Sequence, residues 1–474
     1  MGGEGFNGET SRAQARAPLR CPKPDIRIAL ESAYGLHRRA PGLSARRTFS
    51  PAQHLFLRRV LTGLGVLTLL VPELPGLLAT LFIPPVFLAI VLFRLFLLSI
   101  AVRLDREDLT PSRDATPLLP VYTILIALKD ETFIVPQLAR AIAALDYPQD
   151  RIDLKLLIEE ADPGTRTAVM TQSWPAGTEL LVVPAGVPQT KPRALNYGLA
   201  RARGTYVVVY DAEDRPHPGQ LKAAVQAFNA HGPDMACLQA PLVGVPAGGS
   251  WIARQWALEY AIQFSLLVPA LARLGLPVAL GGTSTHFRRT ALVAAGGWDA
   301  WNVTEDADLG LRLARLGHRV GAIRSPTLEA PPEQGRIWHG QRSRWLKGYI
   351  QTWCVLMRGR GEAPGLKPAS FLSVQLTLGA AILSAMVHGP WMAWCALCLA
   401  SPDLSLGAFG LSALWLSLFT GALSASLAPG HWRWQRLFDI LTLPLYWPLQ
   451  TLAMVRALWS LCRTPHYWAK TPHI

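Results

Sequence analysis

Tyr206-Val207-Val208-Val209-Tyr210-Asp211-Ala212-Glu213-Asp214 is the stretch on which the fold turns. Five β-branched or aromatic residues in succession read as a buried strand, and an acidic run begins where that strand stops. Similar short runs occur at Tyr122–Leu128, Leu154–Ile158, Leu180–Val183 and Met235–Gln239. Ala/Leu-rich segments such as Val135–Leu145 and Gln220–Ala230 lie between several of them. This alternation predicts an α/β domain with a mostly parallel sheet. Ligands of such sheets bind beyond the carboxyl ends of the strands, which is where the Asp211 cluster falls.

Asp211 and Glu213, two apart at a strand end, point the same way. With Asp214 they form a hard oxygen set suited to Mg²⁺ or Mn²⁺ held jointly with substrate phosphates. A solvated acidic turn before Pro216 and Pro218 would read the same. A second cluster, Thr304-Glu305-Asp306, precedes Leu309, Leu313 and Leu316 at helical spacing. Thr304 suits an N-cap and Gly317 a helix stop. Acids in a first turn complement the helix dipole. Read chemically, Asp306 is a general base for an attacking hydroxyl.

The third cluster places Gln341, Arg344, Trp345 and Gly348 on one helix face. Arg344 offers a bidentate fork for phosphate oxygens. Trp345 offers a flat face to a sugar ring, or anchors the helix at a membrane interface. Lys191 and Asn196 open a helix before the acidic strand and suit phosphate or nucleoside contacts. Glu160 and Asp162 follow another strand and suit a base or ribose. Gly281–His286 is either a close approach of backbone to an acceptor or a tight turn. No H-E-x-x-H, G-x-x-x-x-G-K-[ST] or zinc-ribbon pattern occurs.

Half of the 474 residues are hydrophobic (50%) and only 16% are charged, so part of the chain belongs in lipid. Lys and Arg (46) exceed Asp and Glu (32), a net charge of +14. Arg38, Arg39, Arg46, Arg47, Arg58 and Arg59 crowd the edge of the first apolar run, which favours a membrane surface over nucleic acid. Cys395 and Cys398 lie in an apolar stretch and read as membrane helix, not as a redox pair. The polar N-terminus predicts no cleaved signal peptide.

Residues 1–55 are expected to form a cytosolic, partly disordered arm and 56–103 two transmembrane helices, near Val60–Phe82 and Pro84–Val102. Residues 118–345 are expected to form the α/β domain, 346–370 an interfacial helix, 371–461 three or four transmembrane helices and 462–474 a tail. The C-terminal apolar runs lie near 371–386, 390–400, 404–428 and 437–461. Four spans are favoured, because they return a tail carrying Arg456, Arg463 and Lys470 to the cytosol.

Taken in order, these motifs resemble the family 2 glycosyltransferases of the cellulose synthase and hyaluronan synthase type, over most of residues 118–353. A bacterial membrane-bound subgroup is the nearest likeness, with Asp-Ala-Glu-Asp at 211–214 and a tail Tyr467-Trp468-Ala469-Lys470-Thr471-Pro472-His473. Glu159-Glu160-Ala161-Asp162 stands where the family usually has Asp-Asp-Gly. The resemblance implies a GT-A α/β domain between N- and C-terminal transmembrane helices and an inverting displacement on a nucleotide sugar, with UDP-glucose as the expected donor. It implies a catalytic base at Asp306 and metal and diphosphate contacts at Asp211 and Glu213, with Asp214 the third acid of the metal set. Glu160, Asp162, Lys191, Asn196 and Arg344 would serve the donor, and Glu305, Gln341 and Trp345 the acceptor. The expected product is a growing polysaccharide passed through the membrane, or, alternatively, a lipid carrying one added sugar. The expected location is the bacterial inner membrane, multi-pass, with a cytosolic catalytic domain.

Overall fold

In the computed structural model of the chain, residues 19–106, 119–245, 249–359, 364–401, 407–430 and 434–468 are described. Among the described residues ten strands form in the central part: β1 (Tyr122–Leu128), β2 (Ile152–Glu159), β3 (Glu179–Val183), β4 (Tyr206–Tyr210), β5 (Arg215–Pro216), β6 (Met235–Gln239), β7 (Leu242–Gly244), β8 (Thr285–Arg288), β9 (Arg319–Ala322) and β10 (Thr327–Glu329). The main sheet has the order β3-β2-β1-β4-β8-β6-β9, and a small sheet the order β5-β10-β7. β3, β2, β1 and β4 are parallel. β8 enters antiparallel between β4 and β6, which itself pairs parallel with β9. The segment read as Gly281–His286 thus leads into a strand too short to show a pattern. His286 is buried on it, with Nδ1 2.8 Å from Tyr122 Oη.

Alternate residues of each strand serve opposite faces. Leu125, Leu157, Leu181, Val207 and Val209 share one core cluster with Leu97 and Leu98, which come from a helix before the sheet. Ile124, Ile126, Leu154, Leu156 and Val208 pack on the other face with Leu138 and Ile142. The first face therefore welds the sheet to the apolar helices.

Those helices begin with α1 (Ile26–Arg39), capped by Asp25, whose carboxylate accepts from the N–H groups of Arg27 and Ile28. Residues expected to be a loose arm are tied down here. Ser44 Oγ donates to Asp299 Oδ1 at 3.1 Å, and Arg358 donates to the carbonyls of Pro41, Gly42 and Ser44. Helix α2 (Pro51–Leu70) starts from a Ser50/Gln53 capping box, and α3 (Leu74–Arg106) follows after a short turn. The break falls at Val71–Glu73 and not between Phe82 and Pro84, because Pro84 and Pro85 are carried inside α3. Both ends of this hairpin touch the catalytic domain side: Gln53 Nε2 donates to Cys354 O (2.7 Å), and Arg324 donates to Leu104 O (2.9 Å).

Within the domain lie α4 (Lys191–Leu199), α5 (Trp251–Ile262), α6 (Glu305–Arg315) and α7 (Gly335–Leu356). Helix α7 runs unbroken past Trp345, so the boundary placed there by sequence is not a structural one. Pro368–Val374, a π turn at Gln375–Gly379 and Ala380–Ala400 continue as one helix, α8. The runs read as separate at 371–386 and 390–400 are thus a single element, with Pro390 inside it. It is followed by α9 (Gly407–Leu427), α10 (Trp434–Leu441) and α11 (Leu443–Arg463). Among the described residues, Gly76–Leu104, Pro368–Cys398 and Gly410–Leu427 are long and apolar enough to cross a membrane. Helix α11 lies parallel beside α7, joined by Trp338–Tyr446, Lys347–Ser460 and Gln351–Pro465 contacts.

Candidate active site

Strand β4 delivers Asp211 to its carboxyl end, and α6 presents Glu305 and Asp306 in its first turn. Three acids there and Arg312 and Arg315 in the last turn match the helix dipole. Thr304 occupies the N-cap position, but its side chain makes no capping bond. It packs instead against α7, where a Cβ at Gly348 would run into it. That close approach explains a glycine on the face carrying Gln341, Arg344 and Trp345.

These parts surround one cavity of about 580 Å³. Asp211, Glu213, Lys191, Glu305, Asp306, Gln341, Arg344 and Trp345 all line it. Lys191 Nζ sits 2.6 Å from Asp211 Oδ1 and donates to Gly282 O at 2.5 Å. Burial disfavours its charge, but Asp211, Asp306 and Glu305 outweigh that and raise its pKa. Asp306 is buried, and its Oδ1 accepts from Trp298 Nε1 at 3.2 Å. Burial pushes its carboxyl well above the usual range; Glu305 and Asp211 push the same way, while Lys191 and the Trp298 indole oppose them.

Four of the expected site residues stand elsewhere. Asp214 is buried behind the turn, its Oδ2 accepting from the Asp211 N–H (2.8 Å) and from the Thr283 hydroxyl. It braces the turn that aims Asp211. Asp162 caps the next helix through Thr165 N and accepts from Asp130 N (2.6 Å). Asn196 bonds Ser32 O and both backbone groups of Trp298, joining α1 and α4 to the loop before α6. Glu160 accepts from Ala185 N at 3.0 Å on the surface. Strand-end position alone did not separate these structural roles from ligand contacts.

The acceptor end is more occupied than an open aromatic face. Tyr260 stacks on Trp345 (centroids 5.9 Å apart) and also on Trp256 (3.6 Å), while the Arg342 guanidinium lies over Trp345 at 4.7 Å. Gln341 Oε1 accepts from Trp256 Nε1 at 2.9 Å. Arg344 lies 4.9 Å from the Trp468 ring, so the tail reaches the same cavity. The rest of the expected tail motif, from Ala469 on, lies outside the described residues.

Glu329 and Glu259 line the cavity and were not singled out by sequence, because neither belongs to a motif. Burial raises the Glu329 pKa, followed by Asp214, Glu213 and Asp211. Burial and the neighbouring carboxylates Asp211 and Asp214 also raise Glu213. Asp214 is pushed up to about 7 by burial and Asp211, and its Oδ1 is buried without a hydrogen-bond partner among the described residues. Among the described residues, no three His, Cys, Asp or Glu side chains converge as a finished metal site. Asp211 and Glu213 nevertheless open on the same cavity amid an excess of carboxylates. That fits a divalent cation completed by substrate phosphates better than an all-protein cage.

Comparison with known proteins agrees with this geometry. The mannosyltransferase PcManGT of Pyrobaculum calidifontis, solved with GDP-Man and Mn²⁺, superposes with a TM-score of 0.51 at 19% identity, covering 80% of this chain and 99% of that one. The likeness shows the GT-A fold. Beta-monoglucosyldiacylglycerol synthase of Synechocystis sp. is 28% identical over 285 residues, 57% of this chain and 58% of that protein. Cellulose synthase 2 of Novacetimonas hansenii is 27% identical over 254 residues, 52% of this chain and 15% of that protein. The matched part thus spans little more than half of the first relative and a small part of the second. The model of the family described as glycosyl transferase family group 2 matches residues 206–461, more than half of the chain, and the chain belongs to that family.

Proposed function

We propose that the protein transfers a sugar from a nucleotide sugar to the headgroup of a membrane lipid. The observation that carries this reading is the continuity of the cavity. It runs from Asp306 to Val91 on α3, Ala385 on α8 and Gly421 on α9, so an acceptor reaches the base from between apolar helices. The relatives named for glucosyldiacylglycerol synthesis support a lipid acceptor. A second reading, extension of a glycan, draws on the stacked Tyr260 and Trp345 in the cavity wall, since aromatic faces suit sugar rings.

In the reaction, an acceptor hydroxyl oxygen attacks the anomeric carbon as the bond from that carbon to the nucleoside diphosphate breaks. Asp306 Oδ2 takes the hydroxyl proton, with Oδ1 held by Trp298. A raised pKa suits a base that must accept a proton near neutrality. Lys191 and Arg344 offer cationic contacts to the departing diphosphate. A divalent cation held by Asp211 and Glu213 would neutralise charge on that leaving group.

The membrane arrangement follows from parity. With the candidate span of α3 read as a crossing, the contacts of both ends of the α2–α3 hairpin with the catalytic domain require α2 to cross as well, despite Arg58 and Arg59. Helix α8 leaves the domain near Pro364, which accepts from Arg315, and α9 returns to it. This gives four crossings, with α11 on the catalytic side and that side cytosolic, where Arg-rich flanks belong. The reading is tested with inner-membrane vesicles given labelled UDP- and GDP-sugars. Label extracted into organic solvent as a single-sugar lipid supports it; label confined to insoluble polymer transfers the reading to the glycan.

A further inference from the structure

Arg94 is a charged residue inside a candidate span, and such residues are costly unless they have a partner or a ligand. It lines the same cavity as Asp306. Its Nε donates to Ser424 Oγ on α9 at 3.1 Å. Among the described residues it makes no ion pair with a carboxylate. Glu259 lines the same cavity. That group is already engaged by Arg342 through both oxygens (2.8 and 2.5 Å) and by the Tyr446 hydroxyl (2.9 Å). With Glu259 engaged by Arg342 and Tyr446, Arg94 stands in the cavity wall without an ion-pair partner among the described residues.

A second observation lies one turn away. Thr420, four residues before Ser424 on α9, is 1% exposed, lines the cavity, and has a hydroxyl with no hydrogen-bond partner among the described residues. A cation and a free hydroxyl on adjacent helices are the parts of an anion site. Thr420 and Ser424 are within two turns, roughly 10 Å, of the catalytic-side end of α9 at Leu427. That is headgroup depth. Further in, Ile90, Val91, Ala381 and Ala385 give apolar walls suited to acyl chains.

The geometry points to Arg94 and Thr420 as the binding site for the phosphate of an acceptor phospholipid whose headgroup also carries a free hydroxyl. The phosphate anchors the lipid at the mouth of the helices, and the hydroxyl extends towards Asp306. This assignment rests on the lipid-acceptor reading above and narrows it to phosphate-bearing lipids.

The test uses the purified full-length protein in neutral detergent. Binding of dioleoylphosphatidylglycerol and of dioleoylglycerol, which has the same chains and no phosphate, is measured by native mass spectrometry for wild type, Arg94→Gln, Arg94→Lys and Thr420→Val. Wild type is expected to prefer the phospholipid by about ten- to hundredfold, the range for charge-assisted hydrogen bonds. Arg94→Gln should erase the preference, Arg94→Lys keep part of it, and Thr420→Val reduce it. An unchanged preference in Arg94→Gln overturns the proposal, with Arg94→Lys showing whether a neutral residue merely misfolds the span. Inorganic phosphate that binds with the same Arg94 dependence while the two lipids bind alike also overturns it, as a free-anion site. Transfer with labelled donor separates the two readings. An Arg94-dependent phospholipid preference with label only in polymer keeps the site and removes the lipid-acceptor function. Glycolipid made equally from both lipids keeps the function and removes the site.

Discussion

The indole N–H of Trp298 donates to Asp306 Oδ1 at 3.2 Å, which leaves Oδ2 as the oxygen facing the cavity, near Gly282. Trp298 is fully buried against Phe287, and Asn196 fixes its backbone on both sides. The orientation of the candidate base is thus set by a neighbouring loop that Asn196, about a hundred residues earlier in the chain, holds in place.

Asp306→Asn should fold and insert normally while losing about a hundredfold to ten-thousandfold in transfer rate, the usual contribution of a positioned base. Trp298→Phe should act differently. The indole opposes the rise in the Asp306 pKa, so its loss raises that pKa further and moves the acid limb of the activity profile to higher pH. Rates of transfer across pH for both variants check this; retention of half the wild-type rate in Asp306→Asn would reduce Asp306 to a helix-end residue.

Stability should fall as pH rises in the absence of divalent cation. Asp214, Glu213, Glu305, Asp306 and Glu329 all have raised folded-state pKa values. Unfolded carboxyls lose their protons near ~4, so between that value and the folded values the native state holds more protons. Stability is therefore highest below ~4 in this respect and declines through the Asp214 value of about 7. Mn²⁺ or Mg²⁺ should raise the thermal midpoint more at pH 8 than at pH 5.5. Equal shifts at both pH values, or none in wild type, would remove the cation from Asp211 and Glu213.

Trp345→Ala should lower transfer far more than donor hydrolysis. Trp345 is packed by Tyr260 and Arg342, so its loss displaces the acceptor wall and not the diphosphate contacts. A displacement of about 1 Å can cost on the order of a hundredfold in rate. Both activities measured in the same membranes decide the matter, and an equal loss of both would assign Trp345 to the donor site or the fold.

Lys347 is buried on α7 and donates to Ser460 Oγ, Thr464 O and Tyr467 O at 2.9–3.1 Å. It fastens the segment that carries Trp468 to Arg344. Lys347→Met should release this segment, speed protease cleavage after Arg463, and reduce transfer severalfold. Mass spectrometry of the cleaved fragment reads the first effect, and unchanged cleavage would show that α11 alone holds the tail.

The parity argument predicts that residues at the far end of α8 and at the end of α11 lie on opposite sides of the membrane. In a background lacking the other cysteines, Ser401→Cys should react with an impermeant maleimide from outside intact cells, and Cys462 only after permeabilisation. Labelling of both from outside would add a crossing at α11.

Much of the domain was legible because burial writes itself into local pattern. Every strand read from the sequence is present, since Tyr206–Tyr210 and its neighbours are apolar runs buried on both faces. Strand β8 was missed because four residues held by long-range antiparallel pairing carry no period of their own. Helix boundaries in the apolar regions were also misread: prolines at 84, 85 and 390 mark turns in water but are carried within these helices.

The sequence alone determined the α/β class, the family, and the three clusters that meet at one cavity, because strand ends and helix starts place their own side chains. Tertiary structure alone decided which acids face that cavity. Asp211 and Glu213 do, while Asp214 turns to the nearby Asp211 N–H and to the distant Thr283 hydroxyl, and Asp162 to the Asp130 N–H at the end of β1. It also brought Glu259, Arg94 and Thr420 into the same cavity wall, since helices separated by hundreds of residues become neighbours only when their apolar faces pack.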